Sequence, residues 1–185
     1  MELAEFEYKR NGTQCLIGNF EVATGEVISP TVQKTRTEDD FAQHIERTVA
    51  TDPEAGWIFV ADNLTIHCSE SLVRFVAGAC GITDDLGKKE ARGVLKSVAT
   101  RKAFLMDAGH RIRFVYVPKH TSWLNQIEIW FSILVRKLLR RSSFKSVEDL
   151  KKRILEFIDY FNRTMAKPIN WLYSPRPLHE EPPSG

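Results

Sequence analysis

Two acidic side chains, Asp62 and Glu128, stand where a carboxylate can do chemistry. Asp62 ends the apolar run Trp57-Ile-Phe-Val-Ala61 and is followed by Asn63 and, further on, His67. That run is continuously apolar, rich in aromatic and β-branched residues and bounded by Gly56 and Asn63, which predicts a strand buried on both faces. In open α/β sheets the functional crevice forms at the carboxyl ends of the strands, and a charge placed there is costly unless it is paired, hydrogen-bonded or bound to metal. Glu128 lies in Pro118-Lys-His-Thr-Ser-Trp-Leu-Asn-Gln-Ile-Glu128-Ile-Trp130. There Leu124, Ile127, Phe131, Leu134 and Leu138 recur at intervals of three and four, predicting a helix from near Ser122 with Glu128 in its second turn. A glutamate on a helix is ordinarily a solvated surface group. The second acid at a strand end makes a shared divalent cation the economical explanation.

Asp62 and Glu128 are hard oxygen ligands suited to Mg2+ or Mn2+. Two such ions roughly 4 Å apart can activate a nucleophile, stabilise the leaving oxygen and neutralise charge at phosphorus, which is what phosphodiester cleavage or transfer requires.

Asp62-Asn63 with His67, and Ser122-Trp-Leu-Asn-Gln-Ile-Glu128 with Trp130, resemble the second and third acidic signatures of DDE-type transposases of the mariner superfamily, in its bacterial insertion-sequence branch. The similarity runs from about Tyr8 to about Tyr173. It implies an α/β, ribonuclease H-like mixed sheet flanked by helices and metal-dependent DNA strand cleavage and transfer. Catalytic and metal-binding roles then fall to Asp62 and Glu128, with Asn63, His67 and Asn125 as supporting residues. The family's first catalytic aspartate lies on a strand preceding the first hairpin, and here only about thirteen residues precede that hairpin. Glu2, Glu5 and Glu7 fall on no convincing strand. The expectation is a domain lacking its first, central strand, marginal in isolation and not cleaving DNA by itself unless an upstream transposase fragment supplies the missing part. The competing expectation is a noncatalytic DNA-binding or oligomerising remnant. A homodimer is a further expected partner.

The elements that must position these residues follow in order. Residues 14–33 read as a hairpin whose second strand, bearing Pro30, is an edge. Thr37 with Asp40 forms a capping box opening a helix that buries Phe41, Ile45 and Val49. Ser69 caps a helix burying Leu72, Phe75 and Val76. Residues 82–110 form a basic insertion, since 65 residues lie between Asp62 and Glu128, and Val94, Leu95, Val98 and Leu105 suggest a helix within it. Gly81 to Gly87 has neither the spacing nor the following Ser or Thr of a phosphate-binding loop. Arg111–Val117 alternates as the last strand, and Gln126 takes the place of a proline frequent in the resembled family.

A net charge of +2 conceals an asymmetry: Phe131–Arg153 carries +6 and the remainder −4. Arg136, Lys137, Arg140 and Arg141, at the end of the long helix, are the expected contacts to DNA phosphates. Ser146 caps a last helix with Ile154, Ile158 and Phe161 inward. One catalytic domain over 1–173 and a proline-rich tail over 174–185 are expected. The three cysteines lack zinc-site spacing, no apolar run reaches the roughly 20 residues of a membrane span, and no signal peptide opens the chain, so a cytoplasmic location is expected.

Overall fold

The computed structural model describes residues 12–117 and 126–169. Strand β1 (Cys15–Phe20) pairs antiparallel with β2 (Val27–Gln33), with an irregularity between Ile17 and Asn19. The connecting turn needs Gly25 at φ +79°, where a Cβ would come within 2.0 Å of the Lys167 carbonyl oxygen. Helix α1 (Glu38–Val49) opens on the capping box of Thr37 and Asp40 and buries Phe41, Ile45 and Val49.

Strand β3 (Trp57–Ala61) pairs parallel with β4 (Ile112–Tyr116), Ala61 standing opposite Tyr116. Between them come a 3-10 turn (Thr65–Cys68), α2 (Glu70–Ala79), capped by Ser69, and α3 (Val98–Leu105), capped by Ser97. The crossover and α1 cover one face of the β3–β4 pair: Phe59, Ala61, Ile112 and Phe114 join Ile45, Leu72, Val76 and Leu105 in one core. Helices α4 (Gln126–Lys137) and α5 (Val147–Thr164) instead pack on the hairpin, where Trp130, Leu134, Ile154, Ile158 and Phe161 meet Val27 and Val32 in a second core.

The described strands form two two-stranded sheets, a mixed α/β arrangement compatible with the expected ribonuclease H-like domain. Other expectations are corrected. β3 is not buried on both faces, because α4 and α5 are committed to the hairpin; Ile58 and Val60 are 57% and 51% exposed. The long helix stops at Lys137, and Arg140 and Arg141 lie on a separate 3-10 turn (Leu139–Arg141) that brings Leu139 onto the second core. Its buried anchor is Trp130, edge-on to Phe161 at 6.1 Å. In the insertion, Leu95 and Leu105 are buried as expected, but Val98 opens the first turn of α3 and is 42% exposed. The predicted start of the long helix near Ser122, Asn125, and the tail over 174–185 lie outside the described residues.

Candidate active site

Strand β3 delivers Asp62 at its carboxyl end, where the chain leaves the sheet. The Leu64 N–H donates to Asp62 Oδ1 at 3.1 Å, a local turn that redirects the backbone into the 3-10 segment. This brings His67 back so that its Nδ1 lies 2.7 Å from Asp62 Oδ1, close enough for an ion pair, although the ring is not aligned for a regular hydrogen bond. The imidazole packs at 4.3 Å on the Phe41 ring, and the Tyr116 hydroxyl donates to the His67 carbonyl at 2.6 Å, so β4 and α1 both hold it. Burial pushes the His67 pKa down from its ordinary value, opposed by the Asp62 carboxylate and reinforced by Arg36. The ring is thus biased towards the neutral form beside a carboxylate.

Asn63 has a different task. Its amide nitrogen donates to the Val117 carbonyl and its oxygen accepts from Lys102 Nζ, which also stands 4.5 Å from the centre of the Tyr116 ring. The ends of β3 and β4 are thereby tied together, and α3 of the insertion is tied to both. Burial raises the Tyr116 pKa, which keeps its hydroxyl a donor.

Glu128 comes from the first turn of α4 and lines the same cleft as Asp62 and His67, a space of about 170 Å³ that Arg36, Phe41, Phe59 and Ile127 also border. The structure therefore brings Asp62, His67 and Glu128 to one cleft from two elements far apart in sequence. Arg36, which sequence reasoning did not single out, adds a cation there and has no ion pair among the described residues. Its only sequence signal was its place just before the capping box of α1. Lys102 belongs to the basic insertion over residues 82–110, whose sequence carries no signal linking it to Asn63. Of the four basic residues on the end of α4 and the 3-10 turn after it, Arg136 and Arg140 border one shallow depression with Phe131 and Val135, while Lys137 and Arg141 are exposed.

The donor types suit a hard divalent cation, with Asp62 Oδ2 and the Glu128 carboxylate left without partners among the described residues. The number of donors does not yet make a site: among the described residues no group of three or more His, Cys, Asp or Glu side chains is placed to hold a metal ion.

A family model described as DDE superfamily endonuclease matches residues 2–151. The chain belongs to that family. No curated protein and no solved structure matches it. As a DDE superfamily endonuclease, it carries a domain of the transposase type, whose chemistry is nucleolytic, acts on DNA and typically uses divalent metals. The matched span includes both Asp62 and Glu128 as well as the insertion that carries Lys102. Among the described residues of this endonuclease domain, no helix is long and apolar enough to cross a membrane.

Proposed function

We propose that this DDE endonuclease domain is the catalytic part of a transposase of the mariner superfamily's insertion-sequence branch, cleaving and transferring DNA strands with Mg2+ or Mn2+ held in part by Asp62 and Glu128. The observation that carries the reading is the convergence of these two carboxylates on one cleft from β3 and α4. A divalent ion bound there would supply a nucleophilic water or hydroxyl and neutralise charge on the phosphate. The chain's own residues do the rest. His67, packed on Phe41, holds Asp62 in place through Oδ1 and leaves Oδ2 without a partner among the described residues. Arg36 offers a guanidinium to a non-bridging phosphate oxygen. Asn63 fixes the end of β3 against the end of β4. Arg136, Lys137, Arg140 and Arg141 bind flanking phosphates by counterion release, without reading sequence.

Two carboxylates are too few for a two-metal centre, so this reading calls for a further acid from outside the described residues. A second copy of the chain is the natural partner for holding two DNA ends.

The test is a Mn2+-dependent nicking assay on the purified chain, with and without a co-expressed upstream segment bearing an acid. Cleavage is expected only with that segment, and Asp62→Asn or Glu128→Gln should each abolish it. Cleavage that survives Glu128→Gln would overturn the assignment. Salt-sensitive DNA binding with no cleavage under any condition would favour a noncatalytic binding module.

A further inference from the structure

The loop that carries Asp62 and His67 holds its own shape through bonds within itself. The Leu64 N–H donates to Asp62 Oδ1 at 3.1 Å, the His67 N–H donates to the Leu64 carbonyl at 3.0 Å, and the Cys68 thiol makes weak contacts to the Leu64 and Thr65 carbonyls at 3.8 and 3.5 Å. None of these bonds anchors the loop to the rest of the molecule. From the β4 side, the Val117 carbonyl accepts from Asn63, and the Tyr116 hydroxyl donates to the His67 carbonyl at 2.6 Å. From the other side the anchors come from α3.

Helix α3 supplies them from two consecutive residues. Arg101 shares the inward face of α3 with Leu105 and is 6% exposed. Its Nε donates to the Cys68 carbonyl at 2.8 Å and its Nη1 to the Leu95 carbonyl at 3.1 Å, so one guanidinium spans the 3-10 turn Thr65–Cys68 and a second 3-10 turn, Val94–Lys96. The carbonyl end of a helical turn carries partial negative charge and suits a cation. Cys68 and Leu95 are themselves buried, so removing the guanidinium leaves their carbonyls unpaired away from water. Lys102, roughly 100° further round the helix, donates to Asn63 Oδ1. Arg101 and Lys102 thus grip the loop at Cys68 and at Asn63, with His67 between these points and Asp62 beside the second.

We propose that Arg101 is a positioning residue of this endonuclease domain: through the Cys68 carbonyl it locks the 3-10 turn that sets His67 against Asp62, and the insertion over residues 82–110 serves as a splint for that turn. The Arg101 cation is engaged inside the fold, so it is no contact for DNA phosphates. The splint rests on the hydrogen bonds alone; its influence on metal binding rests on the catalytic reading above.

The test is amide hydrogen exchange on the full chain, wild type against Arg101→Met, which keeps an unbranched side chain and removes both bonds. Exchange at the Leu64 and His67 amides should rise by roughly tenfold or more beyond any rise at the core amides of Ile45 and Ile158. Arg101→Lys keeps the charge on a single donor group that does not span two carbonyls, and it should give a smaller local rise. It also replaces Arg101→Met in the comparison where the latter does not fold. No rise at Leu64 and His67, or one shared equally by Ile45 and Ile158, overturns the proposal. The salt slope of nonspecific DNA binding should match wild type, and a slope reduced by about 1 would make Arg101 a phosphate contact and overturn the proposal as well. Titration with Mn2+ separates the two claims. Local loosening with affinity lowered by about tenfold or more supports both, whereas local loosening with unchanged affinity keeps the splint and fails the assignment of Asp62 to metal.

Discussion

Asp62 Oδ1 lies 2.7 Å from His67 Nδ1, and the two side chains are brought together by only a short 3-10 turn after β3. The ring is mostly buried against Phe41 while the carboxylate stays partly open to the cleft, so His67 orients Asp62 and is not itself the exposed group. Replacing His67 with alanine should therefore lower Mn2+ affinity of the assembled enzyme by about ten- to a hundredfold, as loss of a supporting partner does elsewhere. Isothermal titration with Mn2+ measures it, and an affinity unchanged by His67→Ala would make the contact packing alone.

Asn63 joins Val117 to Lys102. Asn63→Ala leaves a part-buried carbonyl and an ammonium without their partner, at a cost of about 1 to 3 kcal/mol in urea unfolding. Because Asn63 and Lys102 act through one bond, the double variant with Lys102→Ala should be less destabilised than the sum of the singles by at least about 0.5 kcal/mol. Simple additivity would separate the insertion from the site.

His44 is fully buried and hydrogen-bonds Thr31 at 2.9 Å, and burial, helped by Arg47, pushes its pKa down to about 4. In the unfolded chain the same imidazole protonates near the ordinary pH of about 6.5. Between those values the unfolded state binds more protons than the folded one, so stability falls as pH drops from about 6.5 to about 4, by roughly 2 to 3 kcal/mol in total. His67, shifted in the same direction, adds to the loss. Denaturation midpoints across that range, compared with His44→Asn, read the effect; a variant with the same pH slope would assign the loss to other groups.

Arg136, Lys137, Arg140 and Arg141 occupy one end of α4 and the 3-10 turn after it. Replacing all four with alanine should weaken binding to nonspecific duplex DNA and reduce the slope of log affinity against log salt by roughly 2 to 4. Fluorescence anisotropy over a salt series gives the slope, and an unchanged slope would mark this helix end as a solvated surface.

Local chemistry was legible from the residues themselves. The Thr37–Asp40 capping box, the Ser69 cap, the hairpin, the strand ending at Asp62 and the inward faces of α1 and α5 each depend on residues a few positions apart, so their spacing carries the information. The acidic signatures around Asp62 and Glu128 pointed likewise to the endonuclease family that the chain matches. What only the tertiary structure decided were contacts between segments distant in sequence. Arg36 reaches the cleft because α1, which it precedes, packs on the 3-10 turn that follows β3, and Lys102 reaches Asn63 because the insertion folds back over the strand ends. The same holds for β3: a continuous apolar run cannot tell whether one face or two will be covered, and here α4 and α5 went to the hairpin, leaving Ile58 and Val60 open. A strand's pattern records that its side chains prefer burial; which partner buries them is a property of the whole chain's packing.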